Sequence, residues 1–265
     1  MAFQAGGAVP ASRTQAAAVP DWTDIYYRCF DVVRCDTAEL IEKAQRLRYQ
    51  VYCLETGFED PAANPGGLET DAADAHAAHC LLMHKPSGLI AGTVRLILPR
   101  EEEPHLGLPA RRVSPRLAEF PEQVLPRRLT AEISRFSISK EFRKRCDDGL
   151  YPAPPADAEP DILGRRAVPS ITLGLMRAIV QMTRDNAMTH VVAIVEPALI
   201  RLLLRLGIRF EKTGERVDYH GIRYPVYRDM DALLAEIYMR RPDVWGAITD
   251  HGSIWPLPAR LLARS

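Results

Sequence analysis

The sequence has few of the residues that staple, anchor or steer a chain. Its 265 residues include only five cysteines, Cys29, Cys35, Cys53, Cys80 and Cys146, scattered and without metal-ligand spacing. That argues against a disulfide framework and a cysteine metal centre, and it fits the reduced thiols of a cytoplasmic protein. Net charge is missing too: 34 Lys and Arg balance 34 Asp and Glu. No global field therefore steers the chain to nucleic acid or to an anionic membrane, and the interleaved aromatic and basic residues of a nucleic-acid surface are absent. No stretch approaches the roughly 18 apolar residues of a spanning helix. Residues 1–20 are rich in Ala, Gly, Pro, Gln and Ser, lack the apolar centre of a signal peptide, and read as a disordered tail. There is no internal repeat. Glycine is sparse where it would matter later: between Ser139 and Ser170 stand only Gly149 and Gly164, with no G-x-G.

What is present is a globular pattern, 47% apolar, with strands and helices interleaved. Residues 25–34, aromatic and β-branched, predict a first strand. Asp36 with Glu39 predicts a capping box opening a helix through Leu40, Ile41, Ala44 and Leu47 toward Tyr52. Residues 59–75 read as a loop, and 78–84 with 89–98 as a hairpin around Lys85-Pro86-Ser87-Gly88. A long loop or short helices over 99–128 precede a strand at 130–139. An irregular insertion at about 140–169 follows, with five prolines from residue 146 onward. Residues 170–186 predict a helix capped by Ser170, and 190–195 a strand buried on both faces. Pro197 begins a helix that stops at Gly207. A hairpin over 210–228 turning at His220-Gly221, a helix over 231–240 and a Trp-bearing tail complete the chain. The fold class is α/β, a mixed sheet covered by helices. The domain reading is a tail over 1–20, one domain over 21–230 and a helical C-terminal extension over 231–265.

Charged residues inside the apolar runs carry the functional signal. Glu132-Ile133-Ser134-Arg135-Phe136 is a strand with a Glu and an Arg in it, and Arg95 sits in the apolar run 92–98. Arginines there are costly unless carboxylates pair with them, and Asp71, Asp74 and Glu132 are on offer. Arg48, Tyr52 and Phe58 lie upstream. Such a cluster near a sheet centre reads as a site.

The element order, with the Gly207 step, resembles the GNAT acyltransferase fold, a three-layer α-β-α sandwich. Arg48-x-x-Val51-Tyr52, Gly57-Phe58, Glu69-x-Asp71-x-x-Asp74, Arg95 and Glu132-x-Ser134-Arg135-Phe136 resemble the signature of the acyl-homoserine-lactone synthases and of their relatives, the N-acyl amino acid synthases. In length, insertion and Trp-bearing tail the chain is similar to the exosortase-system-associated acyltransferases of that group. Phe58 stands where the lactone synthases usually carry Trp, which favours the amino acid synthase side.

The resemblance implies transfer of a fatty acyl group from acyl carrier protein to the amino group of an amino acid. No cofactor is expected beyond the acyl-phosphopantetheine of the carrier protein, a co-substrate, and no metal. The missing G-x-G speaks against free acyl-CoA, whose pyrophosphate needs a cradle of backbone amides. Glu132 is the candidate base, or else only the partner of Arg95 or Arg135. Arg135 and Ser134 complete the catalytic set. Ser134 or Ser137 would protonate the thiolate, and a bulge around residues 136–138 would aim amides at the oxyanion. Arg48 would bind the substrate carboxylate or hold helix to sheet. Asp71 and Asp74 would order the covering loop or contact the amine. Tyr52, Phe58, Arg95 and Phe136 would line the substrate site, and the strands at 133–138 and 191–195 with the helix at 171–182 an acyl tunnel. Basic pairs at Arg111-Arg112, Arg116, Arg127-Arg128, Arg143-Lys144-Arg145 and Arg165-Arg166 are either a solvated face or a dock for an acidic carrier protein, with Arg127, Arg128, Arg143, Lys144 and Arg145 the preferred dock. The Trp-bearing tail would touch the inner membrane or cap the core. The alternatives are a lactone synthase consuming S-adenosylmethionine and a non-catalytic protein that binds carrier protein or lipid.

Overall fold

The computed structural model describes residues 22–100, 102, 107–143 and 167–258. The N-terminal tail, most of the predicted insertion, Lys144, Arg145, Arg165 and Arg166 lie outside the described residues.

The chain opens with a helix, α1 (Trp22–Cys29), that leads straight into β1 (Phe30–Arg34). The expected strand over 25–34 is therefore half helix. Ile25, Tyr26 and Cys29 share one helical face; Ile25 and Tyr26 are buried, and this helix packs on the long helix α6 (Ala167–Asp185). That tertiary burial overrides the β preference of the aromatic residues. The contact is close enough to require Gly174 of α6, where a Cβ would come within 2.9 Å of the Tyr26 ring and 2.5 Å of Leu82.

Next comes α2 (Ala38–Tyr49). Its N-cap is Thr37, not Asp36: Thr37 is extended and its Oγ1 accepts from the Leu40 amide at 3.3 Å, while Glu39 pairs with Lys43. The helix does not hand over to a second helix. It widens into a π-helical turn, Gln50–Glu55. The Tyr52 carbonyl then accepts from the amides of Phe58 and Glu59, with Gly57 at φ 64 making the reversal. Tyr52, Phe58 and Glu59 are thereby gathered at one place.

The hairpin is as the sequence predicts, β2 (Ala77–His84) with β3 (Ile90–Ile97). Two short helices, α3 (Pro109–Val113) and α4 (Pro115–Glu119), precede β4 (Thr130–Ile138) and α5 (Lys140–Arg143). Helix α6 starts at Ala167, so Ser170 lies inside its first turn and is not the cap. Pro169 is harmless there because the first N–H groups of a helix have no intrahelical partner. Strand β5 (His190–Val195) and α7 (Pro197–Arg205) follow, the latter ending at Gly207 with φ 77. The closing elements are β6 (Glu211–Lys212), β7 (Val217–Asp218), β8 (Ile222–Asp229), α8 (Met230–Arg240) and α9 (Pro242–Thr249). Met230, Leu233, Ile237, Val244, Ile248 and Trp255 belong to the main core, so the C-terminal helices are built into the fold.

The sheet runs β1-β2-β3-β4-β5-β8-β6, with β7 beside β8. Strands β4 and β5 pair in parallel, but only through Ile133↔Ala193; beyond that they splay. The two faces differ. Val94, Leu96, Ala131, Ile133, Val191 and Ala193 pack in the core under α6. Alternation puts Arg95, Glu132, Ser134, Val192 and Ile194 on the opposite face, toward α2 and α3. Between Thr93 and Arg95 on β3, β4 carries one extra residue: Thr93 pairs Ser137 while Arg95 pairs Ser134. Arg135, at φ 50, sits in this bulge. The extra residue shifts the alternation, so Phe136 and Ile138 turn to the α6 face.

Candidate active site

Two cavities meet where β4 leaves β5. One, about 410 Å³, lies on the α2 and α3 face and is lined by Tyr52, Phe58, Glu59, Asp71, Arg95, Arg112, Glu132, Tyr219, His220 and Arg223 among others. The other, about 500 Å³, fills the splay on the α6 and α7 side, with Phe136, Ile138, Met176, Ile179, Val195 and Leu199 in its wall. Both share Ser134, Arg135, Ile133, Ile194, Tyr52, Phe58 and Arg223. Charged side chains crowd the first, the polar cavity, and apolar side chains make up most of the second, the apolar cavity, so the two suit different kinds of ligand group.

Behind the polar cavity lies a network of three arginines and four carboxylates. Arg48 donates to Glu69 at 2.5 Å and forks onto both oxygens of Asp74 at 2.7 and 3.1 Å. Arg95 reaches Asp71 at 2.6 and 2.9 Å and Asp74 at 2.5 Å, and its Nε donates to Ser134 Oγ at 2.9 Å. Arg135 holds Glu69 at 2.7 Å and Glu59 at 3.0 Å, with its guanidinium over the Tyr52 ring at 4.9 Å. Asp71 and Asp74 also form the capping box of a 3₁₀ turn, Ala72–His76, which makes this acidic loop rigid. Burial pushes the Glu69, Asp71 and Asp74 carboxyls up, but the arginines outweigh it and hold all three below their ordinary values. His79, buried beside Asp74, is pushed down to about 4 by burial and stays neutral. Three cations stand against four anions, so the network by itself keeps one negative charge in excess.

Several expected roles change with this geometry. Arg48 is fully buried and lines neither cavity; its guanidinium pairs with Glu69 and Asp74, the geometry of the second role expected of it, holding α2 to the loop and sheet. Asp74 likewise lies behind the cavity wall, whereas Asp71 faces in. Arg135 spends its donors on Glu69 and Glu59 and acts as a positioning residue. Phe136 lines the apolar cavity, not the polar one, because the bulge turns it over. Arg127 and Arg128 form an exposed turn at the start of β4, the closed end of the β4–β5 pair, away from the splay. Arg143 ends α5, beyond the other end of β4, and Lys144 and Arg145 of the expected dock lie outside the described residues.

Glu132 is the exception among the acids. It is 5% exposed, and among the described residues it forms no ion pair. Its partner is the Ala110 amide, which donates to Oε2 at 2.7 Å. The arginines that the sequence offered to it are paired with Glu59, Glu69, Asp71 and Asp74 instead. Burial raises its pKa to about 7, against the weaker pull of the Ala110 amide and of Arg95 and Arg135. A carboxyl of this kind, open to a polar cavity, exchanges protons near neutrality. Ser134 stands at the junction; its Oγ accepts from Arg95 and keeps its own proton to donate.

Reading the sequence missed Glu59 and Arg223 as lining residues, placed Arg112 only in a basic pair, and predicted the hairpin turning at His220-Gly221 without placing its tip at the cavity. The hairpin tip is held by His220 at φ 52 and Gly221 at φ 92, and His220 stacks on Phe58 at 5.0 Å. The Gly after His220 marked the turn; nothing local to it marked where the turn would lie. Among the described residues no group of His, Cys, Asp and Glu forms a metal site, and no helix is long and apolar enough to cross a membrane.

A mixed sheet splayed between its parallel strands, with a bulge at the junction and helices on both faces, is the GNAT-like acyltransferase fold. Residues 47–148 match the family described as the acetyltransferase (GNAT) domain, and no curated protein sequence matches the chain. Among solved structures, TofI in a ternary complex with an inhibitor and MTA is similar with a TM-score of 0.55 at 19% identity, over 78% of this chain and 95% of TofI. BjaI, a CoA-dependent acyl-homoserine lactone synthase with SAM and isopentyl-CoA, gives 0.54 at 17% identity, over 86% and 91%. FeeM, an N-acyl amino acid synthase from uncultured soil microbes, gives 0.50 at 14% identity, over 80% and 97%. At these identities the likeness establishes the fold.

Proposed function

We propose that the protein is an N-acyltransferase that moves a fatty acyl group from a phosphopantetheine thioester to the amino group of an amino acid. One observation carries the reading: a buried carboxyl poised near neutrality, Glu132, faces a polar cavity exactly where that cavity meets an apolar one across the splay. The amine enters the polar cavity as an ammonium, the protonated form that it has at neutral pH. Glu132 takes its proton, directly or through water, because only the free amine is nucleophilic. The nitrogen attacks the thioester carbonyl at the splay, where β4 has lost its β5 partner and has backbone amides to offer the oxyanion. The tetrahedral intermediate loses the second nitrogen proton to water and collapses, the C–S bond breaks, and the thiolate takes the proton held by Glu132, directly or relayed through the Ser134 hydroxyl, which restores the base. The acyl chain lies against Phe136, Ile138, Met176 and Ile179. The donor is assigned to acyl carrier protein, on the scarcity of glycine between Ser139 and Ser170.

A second reading has its own support. TofI, BjaI and the AHL synthase LasI share the fold, and a lactone synthase would use the same two cavities while consuming S-adenosylmethionine. Mass spectrometry of lipid extracts from cells expressing wild type and Glu132→Gln separates these. An N-acyl amino acid made only by wild type supports the proposal. An acyl homoserine lactone replaces it with the second reading. No new lipid, with donor supply confirmed, leaves a binding protein of this fold.

A further inference from the structure

We propose that Arg112 and Arg223 form a carboxylate clamp in the polar cavity, so that the acceptor is held at both ends, its amine at Glu132 and its carboxylate on these two guanidinium groups. The proposal rests on the acyl-transfer reading and names the recognition that would select an amino acid over a plain amine.

The assignment follows from which charges in the cavity are already used. Of the arginines lining it, Arg95 and Arg135 are saturated by Asp71, Asp74, Glu69 and Glu59; binding a substrate carboxylate there would break buried ion pairs, a costly exchange. Arg112 and Arg223 also line the cavity, and among the described residues neither has a carboxylate partner. Glu215, in the loop ahead of β7, is bonded to Ser114, the N-cap of α4, and so is occupied elsewhere.

Arg223 is also aimed. Its Nε donates to the Tyr219 carbonyl at 2.7 Å, and its guanidinium lies 5.7 Å from the Phe58 ring centre. That fixes the side chain while leaving its terminal nitrogens for an anion, and a guanidinium with a free fork suits a carboxylate. Arg112 is tied to the base through the chain: it stands two residues after Ala110, whose amide holds Glu132 at 2.7 Å. In an α-amino acid the amine and the carboxylate share one carbon, so a clamp must lie beside the base, and α3 carries both Arg112 and the amide that holds Glu132. The cavity is thus lined both by carboxyls, Glu132, Asp71 and Glu59, and by two guanidinium groups without carboxylate partners among the described residues, Arg112 and Arg223, the two charges that a zwitterion needs.

The test compares the twenty amino acids with their primary amides as acceptors, using mixed medium- and long-chain acyl thioesters of acyl carrier protein as donors. It is run on wild type, Arg112→Gln and Arg223→Gln, each checked for a native unfolding transition. In wild type the acid should exceed its amide in kcat/KM by about tenfold or more, the value of a charge-assisted pair. Each variant should raise the acceptor KM and pull the ratio toward one, with the donor KM unmoved. Equal use of acid and amide by wild type overturns the clamp and leaves acyl transfer standing. A rise in donor KM instead of acceptor KM also overturns it, by giving the arginines to the donor's phosphate. If no amine is acylated, the acyl-transfer reading fails and the clamp with it.

Discussion

Two buried glutamates show how this site divides its work. Glu69 is 1% exposed and Glu132 is 5% exposed, yet their surroundings push them opposite ways. Glu69 sits between Arg48 and Arg135, which overcome the cost of burial and hold its carboxyl down. Glu132 has the Ala110 amide and no ion pair among the described residues, so burial wins and its pKa rises to about 7. Depth does not decide whether a buried acid is structural or chemical; the placement of the arginines does. The first region is a scaffold that must stay charged, and the second is a group that can change charge at the pH of a cell.

The largest expected effect comes from removing the exception. Glu132→Gln keeps an oxygen to accept from Ala110 and deletes the proton acceptor. It should lower kcat by about 10²–10⁴, the range for loss of a general base, without loss of fold. Turnover within a few-fold of wild type would falsify the base assignment and make Glu132 a packing residue. Glu69→Gln attacks the other region. It leaves the fully buried Arg48 short of an anion and should cost about 3–5 kcal/mol of stability, as breaking a buried pair does. Denaturant unfolding measures this; a loss below about 1 kcal/mol would mean that Asp74 alone satisfies Arg48.

pH sharpens the contrast, because the two acids respond with opposite sign. Glu132 has a folded pKa raised from the ordinary 4.5 to about 7. Below about pH 4.5 it is protonated in both states and costs nothing. Between there and about 7 the unfolded chain ionises first, stability falls, and above about 7 the whole penalty of roughly 3 kcal/mol is present. Glu132→Gln should therefore be more stable than wild type by an amount of that order at pH 8, and equal to it near pH 4. Over the same interval kcat/KM of wild type should rise as the base ionises. Glu69, Asp71 and Asp74 run the other way: their folded values are depressed, so their contribution is present above about pH 4 and is lost only on acidification. If wild type and Glu132→Gln keep the same stability difference from pH 4 to 8, the raised pKa is wrong.

Much of this contrast was legible in the chain, and the remainder was hidden for identifiable reasons. The hairpin, β4, β5, α7 with its Gly207 stop, and the clustering of Arg95 and Arg135 with Asp71 and Asp74 all follow from local pattern and from the cost of burying a guanidinium. Which acid pairs with which arginine does not, since it depends on a π-helical turn after α2 that brings Glu59 to Arg135 and on α3 lying over Glu132. Phe136 shows the limit most sharply. Counting by twos from Glu132 puts it on the face toward α2 and α3; one extra residue at Arg135 sends it to the α6 face, and a bulge built on an arginine at positive φ has no compositional mark. Residues 25–29 show the reverse case, where strand-like residues become helix because α6 offers them a surface.

The smallest effect tests whether the comparison concerns burial at all. Helix α2 carries both kinds of ion pair. Arg48 on one side is sealed against Glu69 and Asp74, while Arg46 and Glu42, one turn apart on the other side, meet at 2.6 Å with their side chains 57% and 47% exposed. The distances are nearly those of the buried pairs, so geometry alone would rank them together. Water and ions screen the exposed pair, and holding two long side chains in one pose costs entropy. Glu42→Gln should change stability by less than about 0.5 kcal/mol and should lose even that in high salt, while the effect of Glu69→Gln should persist there. A loss at Glu42 comparable to that at Glu69 would show that α2 depends on its ion pairs wherever they lie, and the division between scaffold acids and a chemical acid would have to rest on Glu132 alone.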